Sequence, residues 1–574
     1  MTAAWPYPAA EPPGSALESP SPRERYLAVR VLDALLREDY GGLASRLTHD
    51  KDGVALVLAS GRRVRLASGS PFQDFAVAPP SRASRGSKRK AVPAGAGLSL
   101  AEVVETLEAV ADPADAAGVA AFTAECREAL SALELHHRHR DEVAARLARE
   151  PARPGGGRDL IFYETLAAAV DHPIYPTARC RLGLSPRDLL AHAPEFAPEF
   201  EVAWAAVPRE RVTLTCPEPP QWWPGAGDAG LPGALAATHA MFPVHPLSVP
   251  VVAGIPGVVL APARRLAVRP TLSMRTVEVD ARTHLKLPLP MSTLGVRNRR
   301  SIKPGTLRDG ALAESLLREV LDREPGMRVG LAGEQEYGHA GHEFLGWLVR
   351  RLPEGEIVPV AALPAPLPGD GRRLVLHELA GRFYGGDVRA LLRDYLGTLL
   401  RWSVMLFVRY GVALEAHQQN LSLVFGDGPA RLLVKDDDGL LASPGRLRAA
   451  GLEPPGFGDE RMLTDDPYAL ADVFVTITLH LAATAVAHSA LPGSGAGLVR
   501  EALSAALEPY GDDPMARLLR GRTLDAHRLT GKSMIVAGTL VDKERTGARD
   551  INKFYGTTGP NYLRPALRDL ASRS

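Results

Sequence analysis

The spacing of apolar residues divides the chain of 574 residues into regions with different predicted structures. Apolar side chains recur at helical spacing over most of residues 23–170, so this region is predicted to be mostly helical. Residues 171–385 carry short β-branched runs between many prolines and glycines, which predicts a β-rich region with many turns. The helical pattern returns in residues 386–574. Together these patterns predict an α+β fold, preceded at residues 1–22 by a mobile tail rich in proline, serine and alanine.

Shorter segments refine this division. Residues 54–66 are predicted to form a β-hairpin around Ser60 and Gly61. Residues 473–487 are apolar but fall short of the about 20 residues that a membrane span needs, so a buried helix is predicted there. Residues 79–97 contain five basic residues among serine, glycine and proline. A solvated loop is the favoured interpretation of this last segment, with a nuclear signal or nucleic-acid patch as the alternative.

Composition and charge limit the classes of function. Hydrophobic residues make up 45% of the chain and charged residues 23%, which is typical of globular proteins and excludes wholesale disorder. The 67 basic and 66 acidic residues nearly cancel, so we expect no general nucleic-acid-binding surface, and any anion site must be local. The three cysteines do not have the spacing of a disulfide scaffold or a zinc ribbon. The N-terminus lacks a signal-peptide pattern, and a cytoplasmic protein outside the membrane is expected.

The most basic stretch of the chain is residues 269–303, which contains eight lysine and arginine residues and two acids. The alternation of residues 271–279 predicts a strand, and a second strand is predicted at 284–287. One face of this pair would carry hydroxyl and basic side chains: Ser273, Arg275 and, on the neighbouring strand, Lys286. Guanidinium forks and a lysine point charge both suit phosphate and carboxylate, so an anion site is predicted. A solvated basic edge is the alternative.

A second group of polar residues lies at 411–420, after a long amphipathic helix that Gly411 can terminate. The polar members of this loop are Glu415, His417, Gln418, Gln419 and Asn420. Residues 421–425 and 431–434 then predict a hairpin that ends at Lys435 and three consecutive aspartates. An amide and an aspartate therefore stand at the two ends of one hairpin.

Protein kinases hold Mg²⁺ with an asparagine and an aspartate in this arrangement. Mg²⁺ takes one or two carboxylates together with phosphate oxygens. A magnesium–nucleotide site is therefore predicted, and the choice of ligand among Asp436, Asp437 and Asp438 stays open. A polar loop followed by an acidic surface turn is the alternative.

Two histidine–proline pairs, His172-Pro173 and His245-Pro246, are weaker signals. A proline after a histidine holds that histidine in an extended conformation. Taken alone, each histidine is expected to have a structural role, because histidine is often partly buried.

Six motifs, in this order and spacing, resemble the siderophore synthetases that work without a nonribosomal template, the aerobactin-synthetase-like family. They are HPIYPTARCRLG at 172–183, FPVHP at 242–246, RPTLSMRT at 269–276, HLKLPL at 284–289, STLGVR at 292–297 and GVALEAHQQN at 411–420. The resemblance runs from about residue 164 to 440, with weaker support to about residue 535.

The resemblance implies a cupped-hand fold with a helical thumb at 23–170, β-rich fingers at 171–385 and a kinase-like palm at 386–574. ATP would bind between fingers and palm, with Mg²⁺. Such enzymes activate a carboxylate of citrate, a citrate derivative or 2-oxoglutarate as an acyl-adenylate, which an amine or hydroxyl then attacks. The implied partners are these small molecules and a second copy in a homodimer, without nucleic acid or membrane.

The same resemblance implies roles for individual residues. The ATP phosphates would be held by Ser273, Arg275, Thr276 and Lys286. The carboxylate substrate and the α-phosphate would be addressed by Thr293, Arg297 and His417, with His172 and Lys532 also on the substrate side. Mg²⁺ and the nucleotide would be served by Glu415, Gln419, Asn420 and Asp436. The residues implied to be catalytic are His417, Arg297 and Lys286.

The chain departs from the family pattern at several positions. Tyr175 replaces the second histidine of the first motif, Arg179 stands where lysine is usual, and Lys435 stands where arginine is usual. These changes preserve most of the ATP-related residues and leave both substrates open. The leading prediction is an ATP-dependent carboxylate–amine or carboxylate–alcohol ligase. A phosphotransferase with the same palm and a non-catalytic binding protein of this fold are the alternatives.

Overall fold

The structure is a computed structural model, and it describes residues 20–69, 71–79, 97–153, 156–216, 218–263, 265–547 and 553–564. Most of the predicted tail therefore lies outside the described residues, as do residues 80–96 of the predicted basic loop. The first helix begins at Pro22, inside the predicted tail, where the Ser21 hydroxyl accepts a hydrogen bond from the Glu24 N–H and caps the helix.

The N-terminal region combines long helices with a small antiparallel sheet. Its elements are α1 (Pro22–Arg37), β1 (Thr48–Asp50), β2 (Gly53–Val57), β3 (Arg63–Ser68), β4 (Phe75–Val77), α2 (Leu100–Val110), α3 (Ala116–Arg149) and α4 (Leu160–Ala168). The predicted hairpin is confirmed, because β2 and β3 pair with Val54 opposite Leu66. The apolar faces of the three long helices and of this sheet enclose one core.

The middle region holds a seven-stranded sheet. Its first elements are α5 (Pro186–His192), β5 (Phe200–Glu201), β6 (Ala203–Pro208), β7 (Thr213–Leu214), α6 (Leu235–Thr238), β8 (His239–Val244), α7 (Val249–Ala253), β9 (Val259–Leu260), β10 (Ala267–Pro270), β11 (Thr276–Asp280) and β12 (Thr283–Lys286). They are followed by α8 (Pro304–Arg323), β13 (Val329–Leu331), β14 (Gly333–His339), β15 (Gly346–Arg351), β16 (Glu356–Pro359), β17 (Pro366–Leu367), β18 (Asp370–Leu374) and α9 (Val375–Phe383). The 20-residue helix α8 was not predicted from the sequence.

The C-terminal region begins with α10 (Val388–Met405), which continues as a π-helical turn, Leu406–Tyr410. Gly411 ends this helix in the left-handed conformation, with φ of +64°, as predicted. The remaining elements are β19 (Val412–Ala413), β20 (Leu421–Phe425), β21 (Arg431–Val434), β22 (Leu441–Ala442), α11 (Pro444–Ala449), α12 (Pro467–Val473), α13 (Ala485–Ala490), α14 (Gly495–Leu507), α15 (Pro514–Arg522), β23 (Arg528–Gly531), α16 (Lys543–Thr546) and β24 (Thr557–Pro560).

The predicted hairpin of β20 and β21 is confirmed and lies inside a four-stranded sheet of order β13-β21-β20-β16. Both β13 and β16 come from the middle of the chain, so this sheet joins the middle and C-terminal regions. The register places residue 434, at the end of β21, opposite Leu331 and Leu421. The aspartates that follow β21 therefore emerge where the two large sheets approach each other.

The apolar segment at 473–487 is buried, as predicted, with every residue of Phe474–Thr484 inside the protein. One helix in the described part of the chain, Pro467–Ala490, is long and apolar enough to cross a membrane by length and composition. The apolar stretch of that helix is 89% buried inside the protein. This burial matches a core helix packed against α10 and α14.

Candidate active site

The first site segment is the turn at residues 271–275, which separates β10 from β11. A continuous strand over 271–279 was predicted, and that prediction is wrong because Met274 adopts a left-handed conformation with φ of +63°. Ser273 and Arg275 therefore lie in a turn and do not share a strand face. The Ser273 hydroxyl accepts a hydrogen bond from the Thr276 N–H at 3.1 Å, which closes the turn. Non-glycine residues with positive φ are costly and cluster at functional sites.

A buried carboxylate connects this turn to both other regions of the chain. Glu164 of α4 is only 1% exposed and accepts a hydrogen bond from the Leu272 N–H at 2.9 Å. Its other oxygen lies 3.1 Å from the Nζ of Lys435. This ion pair explains how a lysine is accommodated where the family pattern has arginine. Sequence reasoning missed Glu164, because its partners are more than 100 residues away.

Lys286 and Asp436 meet where the two sheets approach each other. Lys286 stands opposite Thr276 in the β11–β12 register, and its Nζ donates to the Asp436 carboxylate. Burial opposes the ionisation of Asp436, but the charges of Lys286 and Arg350 outweigh it and hold the pKa of this carboxyl well below its usual range. Asp436 also has positive φ, at +67°.

The structure distinguishes the three consecutive aspartates. Asp436 contacts Lys286, and Asp438 lies 3.6 Å from the same Nζ. Asp437 is buried, and burial next to Glu334 raises its pKa far above the usual range. Asp437 is therefore the least suited of the three to bind a cation as a carboxylate.

The loop at 411–420 is held by its own backbone and by the strand that follows it. The Asn420 amide donates to the Glu415 carbonyl at 3.2 Å, and the Asn420 carbonyl accepts from the Lys435 N–H at 3.0 Å. His417 accepts through Nδ1 from the Gln419 N–H at 3.3 Å. The Glu415 carboxylate lies 3.9 Å from the Nζ of Lys532.

Two neutral histidines of the site, His417 and His172, lie close to each other. Burial, aided by the charge of Lys532, lowers the pKa of His417 to about 4. Burial and the nearby His417 lower the pKa of His172 to about 3. The Nδ1 of His172 accepts from the Tyr175 N–H at 2.9 Å. Because Nδ1 is an acceptor in both rings, each neutral imidazole carries its proton on Nε2 and can donate it to an anionic oxygen.

A third site segment, at residues 292–298, is covered by the C-terminal part of the chain. Arg297 donates from Nη1 to the Ala537 carbonyl at 2.9 Å. Leu294 has φ of +56° and Gly295 has φ of +110°. A Cβ at Gly295 would lie 2.8 Å from the backbone of Gly538, so only glycine permits this close approach. In this loop the Thr293 N–H donates to the Asn298 carbonyl at 3.3 Å.

Two buried acids from the N-terminal region hold this C-terminal segment in place. Glu38, 5% exposed, accepts hydrogen bonds at 2.9–3.1 Å from the three consecutive N–H groups of residues 534–536. Glu125 accepts from the hydroxyls of Tyr175, Thr177 and Thr539 at 2.6–2.9 Å. The phenol of Tyr175, which replaces a family histidine, is thus one of the groups that join the first motif to this segment.

The site contains arginines whose positive charge is not matched by a paired acid in the described part of the chain. Arg275, Arg297 and Arg300 make no ion pair with any acid in the part of the chain that the structure describes. Arg275 donates to the Ser301 carbonyl at 3.2 Å. No group of three or more histidine, cysteine or acidic side chains able to hold a metal ion is found among the described residues.

The structure thus brings together most of the predicted site residues. Lys286 with Asp436, His417 with His172 and Lys532, and Glu415 with Asn420 are the close sets. Gln419 contributes its backbone N–H to His417. Ser273 and Thr276 close the turn beside Arg275. Sequence reasoning missed Glu38, Glu125 and Glu164, and it gave Arg300 no role beyond its charge.

Comparison with known proteins shows which family part of the chain resembles. Residues 159–365 match the model of the IucA / IucC family. The predicted family resemblance is confirmed. The IucA / IucC match contains the 271–275 turn, Lys286 and Arg297. Residues 389–536 match a second model, described as "Ferric iron reductase FhuF-like transporter", which contains His417 and Asp436.

Staphyloferrin A synthase of Staphylococcus aureus is one relative of the chain, 25% identical over 300 residues, which are 47% of this chain and 50% of that protein. The petrobactin biosynthesis protein AsbB from Bacillus anthracis has a TM-score of 0.71 at 16% identity, covering 96% of this chain and 98% of that one. The ATP-bound aerobactin synthetase IucA from Klebsiella pneumoniae has a TM-score of 0.66 at 17% identity, covering 94% and 99%.

These comparisons bear on the fold and on the extent of the match. The predicted α+β cupped-hand architecture is confirmed by the structural neighbours, which align with nearly the whole chain. The matches to the curated relatives span about half the length of those proteins.

Proposed function

We propose that this chain is an ATP-dependent ligase. It activates a citrate-like di- or tricarboxylate as an acyl-adenylate and condenses it with an amine or hydroxyl nucleophile in siderophore-type biosynthesis. The products are then AMP and pyrophosphate. Dependence on Mg²⁺ and a homodimeric state are further parts of the proposal.

The observation that carries this proposal is a set of three arginines, Arg275, Arg297 and Arg300, that form no ion pair within the described residues. Arg300 lies near His417, one of two neutral histidines in the site. Cationic side chains that lack acidic partners in a recess favour anionic ligands. Arg275 and Arg297 are anchored to carbonyls in different segments, at Ser301 and Ala537. Two separately anchored guanidinium groups suit two anions, namely the phosphate chain of a nucleotide and a polycarboxylate.

The oxygen groups in the site also suit Mg²⁺ carried by a nucleotide. Asp436 is held ionised, and the Asn420 amide adjoins Glu415, which gives a set of hard oxygen donors. Mg²⁺ takes few protein ligands when phosphate supplies the rest, which agrees with the lack of a three-acid cluster in the described part of the chain. Asp436, Asn420 and Glu415 would hold the ion, which would draw negative charge from the phosphate oxygens.

The chemistry that we propose has two steps. A carboxylate oxygen forms a bond to the α-phosphorus while the bond from that phosphorus to the bridging oxygen of the β-phosphate breaks, and pyrophosphate leaves. The nucleophile then attacks the acyl carbon, loses its proton and displaces AMP. The Nε2–H groups of His417 and His172 would donate to oxygens that gain negative charge in these steps, a role supported by the backbone hydrogen bonds that Nδ1 accepts.

A carboxylate panel with hydroxylamine as a surrogate nucleophile tests this proposal. We expect pyrophosphate release and hydroxamate formation with a citrate-like acid. Formation of ADP across the panel would instead support a phosphotransferase. Binding of ATP without any product would support a non-catalytic protein.

A further inference from the structure

Arg300 lies immediately after the loop that carries Thr293 and Arg297. Its backbone is fixed on both sides, because its N–H donates to the Met291 carbonyl at 2.9 Å and its carbonyl accepts from the Leu289 N–H at 3.1 Å. The position of its side chain is therefore set by rigid neighbouring structure, and the resemblance to the family assigns it no role.

The guanidinium of Arg300 is partly desolvated and has no direct ionic partner in the described part of the chain. Its Nε is completely buried and has no hydrogen-bond partner, and the group makes no ion pair with the acids of the described ranges. Burial and the nearby charge of Arg275 lower the pKa of Arg300 to about 10. A buried donor without a partner is costly in a folded protein, and such groups call for an explanation such as an unseen ligand.

The acids nearest to Arg300 already have other partners. Asp436 is bound by Lys286 and lies 3.8 Å from Arg350. Glu415 faces the Nζ of Lys532 at 3.9 Å. Neither acid comes within 4 Å of the Arg300 guanidinium. Within the described part of the chain, no acid pairs with Arg300, which favours an anionic ligand as its partner.

The neighbours of Arg300 indicate which anion this is. Arg275 donates to the carbonyl of Ser301, the residue that follows Arg300, so the two arginines lie side by side. Arg297 donates instead to the Ala537 carbonyl of the C-terminal segment. Two adjacent guanidinium groups repel each other unless an anion with several oxygens lies between them, and arginine forks bind phosphate bidentately.

We propose that Arg300 binds the phosphate chain of the nucleotide jointly with Arg275. The nucleotide identity of the anion rests on the proposed function, whereas the chemistry, a polyphosphate, rests on Arg300 and Arg275 alone. Arg300 is then a further binding residue of the site, and it stabilises pyrophosphate as that group leaves.

Calorimetric titration of Arg300→Gln, Arg300→Lys and wild type tests the assignment, with pyrophosphate, a non-hydrolysable ATP analogue with Mg²⁺, and citrate as separate probes. We expect Arg300→Gln to weaken both phosphate probes about 10- to 100-fold, as for loss of a charged hydrogen bond, and to leave citrate binding unchanged. Arg300→Lys should give a smaller loss. The matched control is Arg299→Gln, because Arg299 is exposed and pairs with Glu343 at 2.7 Å.

Thermal unfolding of the same variants separates binding from folding. Because Arg300 forms no ion pair with the acids of the described ranges, Arg300→Gln should unfold no earlier than wild type without ligand, and the analogue should raise its Tm less. A weakened citrate affinity with unchanged phosphate affinity would overturn the assignment, and so would wild-type affinities throughout.

Failure of the ligase proposal has a different signature. If wild type binds pyrophosphate through Arg300 but forms no hydroxamate, then the proposed function fails and this assignment stands. If hydroxamate forms and Arg300→Gln binds phosphate like wild type, then only this assignment fails. A wild type that binds no polyphosphate would contradict both.

Discussion

Charged side chains form ion pairs in one part of the site, whereas in another part the arginines have no acidic partner among the described residues. At the contact between the two sheets, Lys286 and Asp436 neutralise each other, and Arg350 pairs with Glu334 next to them. In the turn at 271–275 and the loop at 292–300, three arginines are held by carbonyl oxygens or by nothing in the described chain. The first part is an internal contact whose disruption would destabilise the fold, and the second is a cationic surface whose arginines can be replaced at little cost in stability.

The difference shows how the fold accommodates a charged site. A buried ion pair is a weak source of net stability, but removing one partner is strongly destabilising because the other charge is left buried. An arginine held by a backbone carbonyl can lose its charge without leaving an acid unpaired. Substitutions in the two parts should therefore separate stability from ligand binding.

The largest effect is expected for Lys286→Met. Lys286 is 4% exposed, and its removal leaves the Asp436 carboxylate without its nearest cation. We expect a loss of about 3 kcal/mol in the free energy of unfolding, together with loss of ATP binding. Urea denaturation and calorimetry measure the two effects.

The double variant Lys286→Met/Asp436→Asn is the control for that experiment. It should recover part of the stability, because no carboxylate is left unpaired, but it should not recover ATP binding. A double variant as unstable as the sum of the two single variants would show that the pair does not interact as the structure indicates.

Arg297→Gln should have the opposite profile. We expect the KM of the carboxylate substrate to rise about 10- to 100-fold, with little change in Tm, because the guanidinium donates only to the Ala537 carbonyl and pairs with no acid in the described chain. Arg350→Gln is the matched control, since Arg350 pairs with buried Glu334 and its loss should lower Tm. An Arg297→Gln protein that unfolds as easily as Arg350→Gln would remove the contrast between the two parts.

Glu38→Gln tests whether the C-terminal segment positions the cationic surface. The two Glu38 oxygens accept three N–H groups, so an amide must turn its NH₂ towards at least one donor. We expect a loss of about 1–3 kcal/mol in stability and a raised KM for the carboxylate, with ATP affinity preserved. Glu105→Gln, at an exposed position of α2, is the control. Loss of ATP and carboxylate affinity in equal measure would contradict this role.

At neutral pH the smallest effect on stability is expected for His417, because its contribution changes only in acid. The folded-state pKa of His417, about 4, lies below the value of 6.5 for an unperturbed histidine, so the folded protein binds fewer protons. Its contribution to stability is complete above pH 6.5 and is lost as the pH falls towards 4. His417→Gln should reduce this acid-side decline by about 1.4 kcal/mol per pH unit in urea denaturation.

His480→Gln is the comparison for the pH experiment. Burial also lowers the pKa of His480 to about 4, so a similar share of the decline should disappear. An unchanged acid-side slope in both variants would mean that these histidines are not buried in their neutral form.

Much of this site could be predicted because its signals are local. The hairpin of residues 421–434 and the helix end at Gly411 follow from short patterns of apolar residues and glycine, and both are confirmed. The prediction of a continuous strand over 271–279 was wrong because the alternation of apolar and polar residues continues through a turn. The turn is evident only from the left-handed conformation of Met274.

The remaining site residues depend on contacts between distant segments. Glu38 meets residues 534–536, and Glu125 meets Thr539, about 400 residues or more along the chain. No periodicity within one segment marks such an acid as an anchor. The isolation of Arg300 is equally invisible in sequence, because the 269–303 stretch contains many basic residues and only the structure shows which of them lack an acid.

Transfer of oxygen from the carboxylate to AMP tests the central claim most directly, namely that the cationic surface holds a carboxylate against the α-phosphate. Wild type would be incubated with ATP, Mg²⁺, hydroxylamine and a citrate-like acid labelled with ¹⁸O in its carboxylates, and the nucleotide products would be analysed by mass spectrometry. If the carboxylate is adenylated, we expect AMP that carries one ¹⁸O atom, formed in the same amount as hydroxamate. Unlabelled AMP, or ADP with the label in inorganic phosphate, would contradict it.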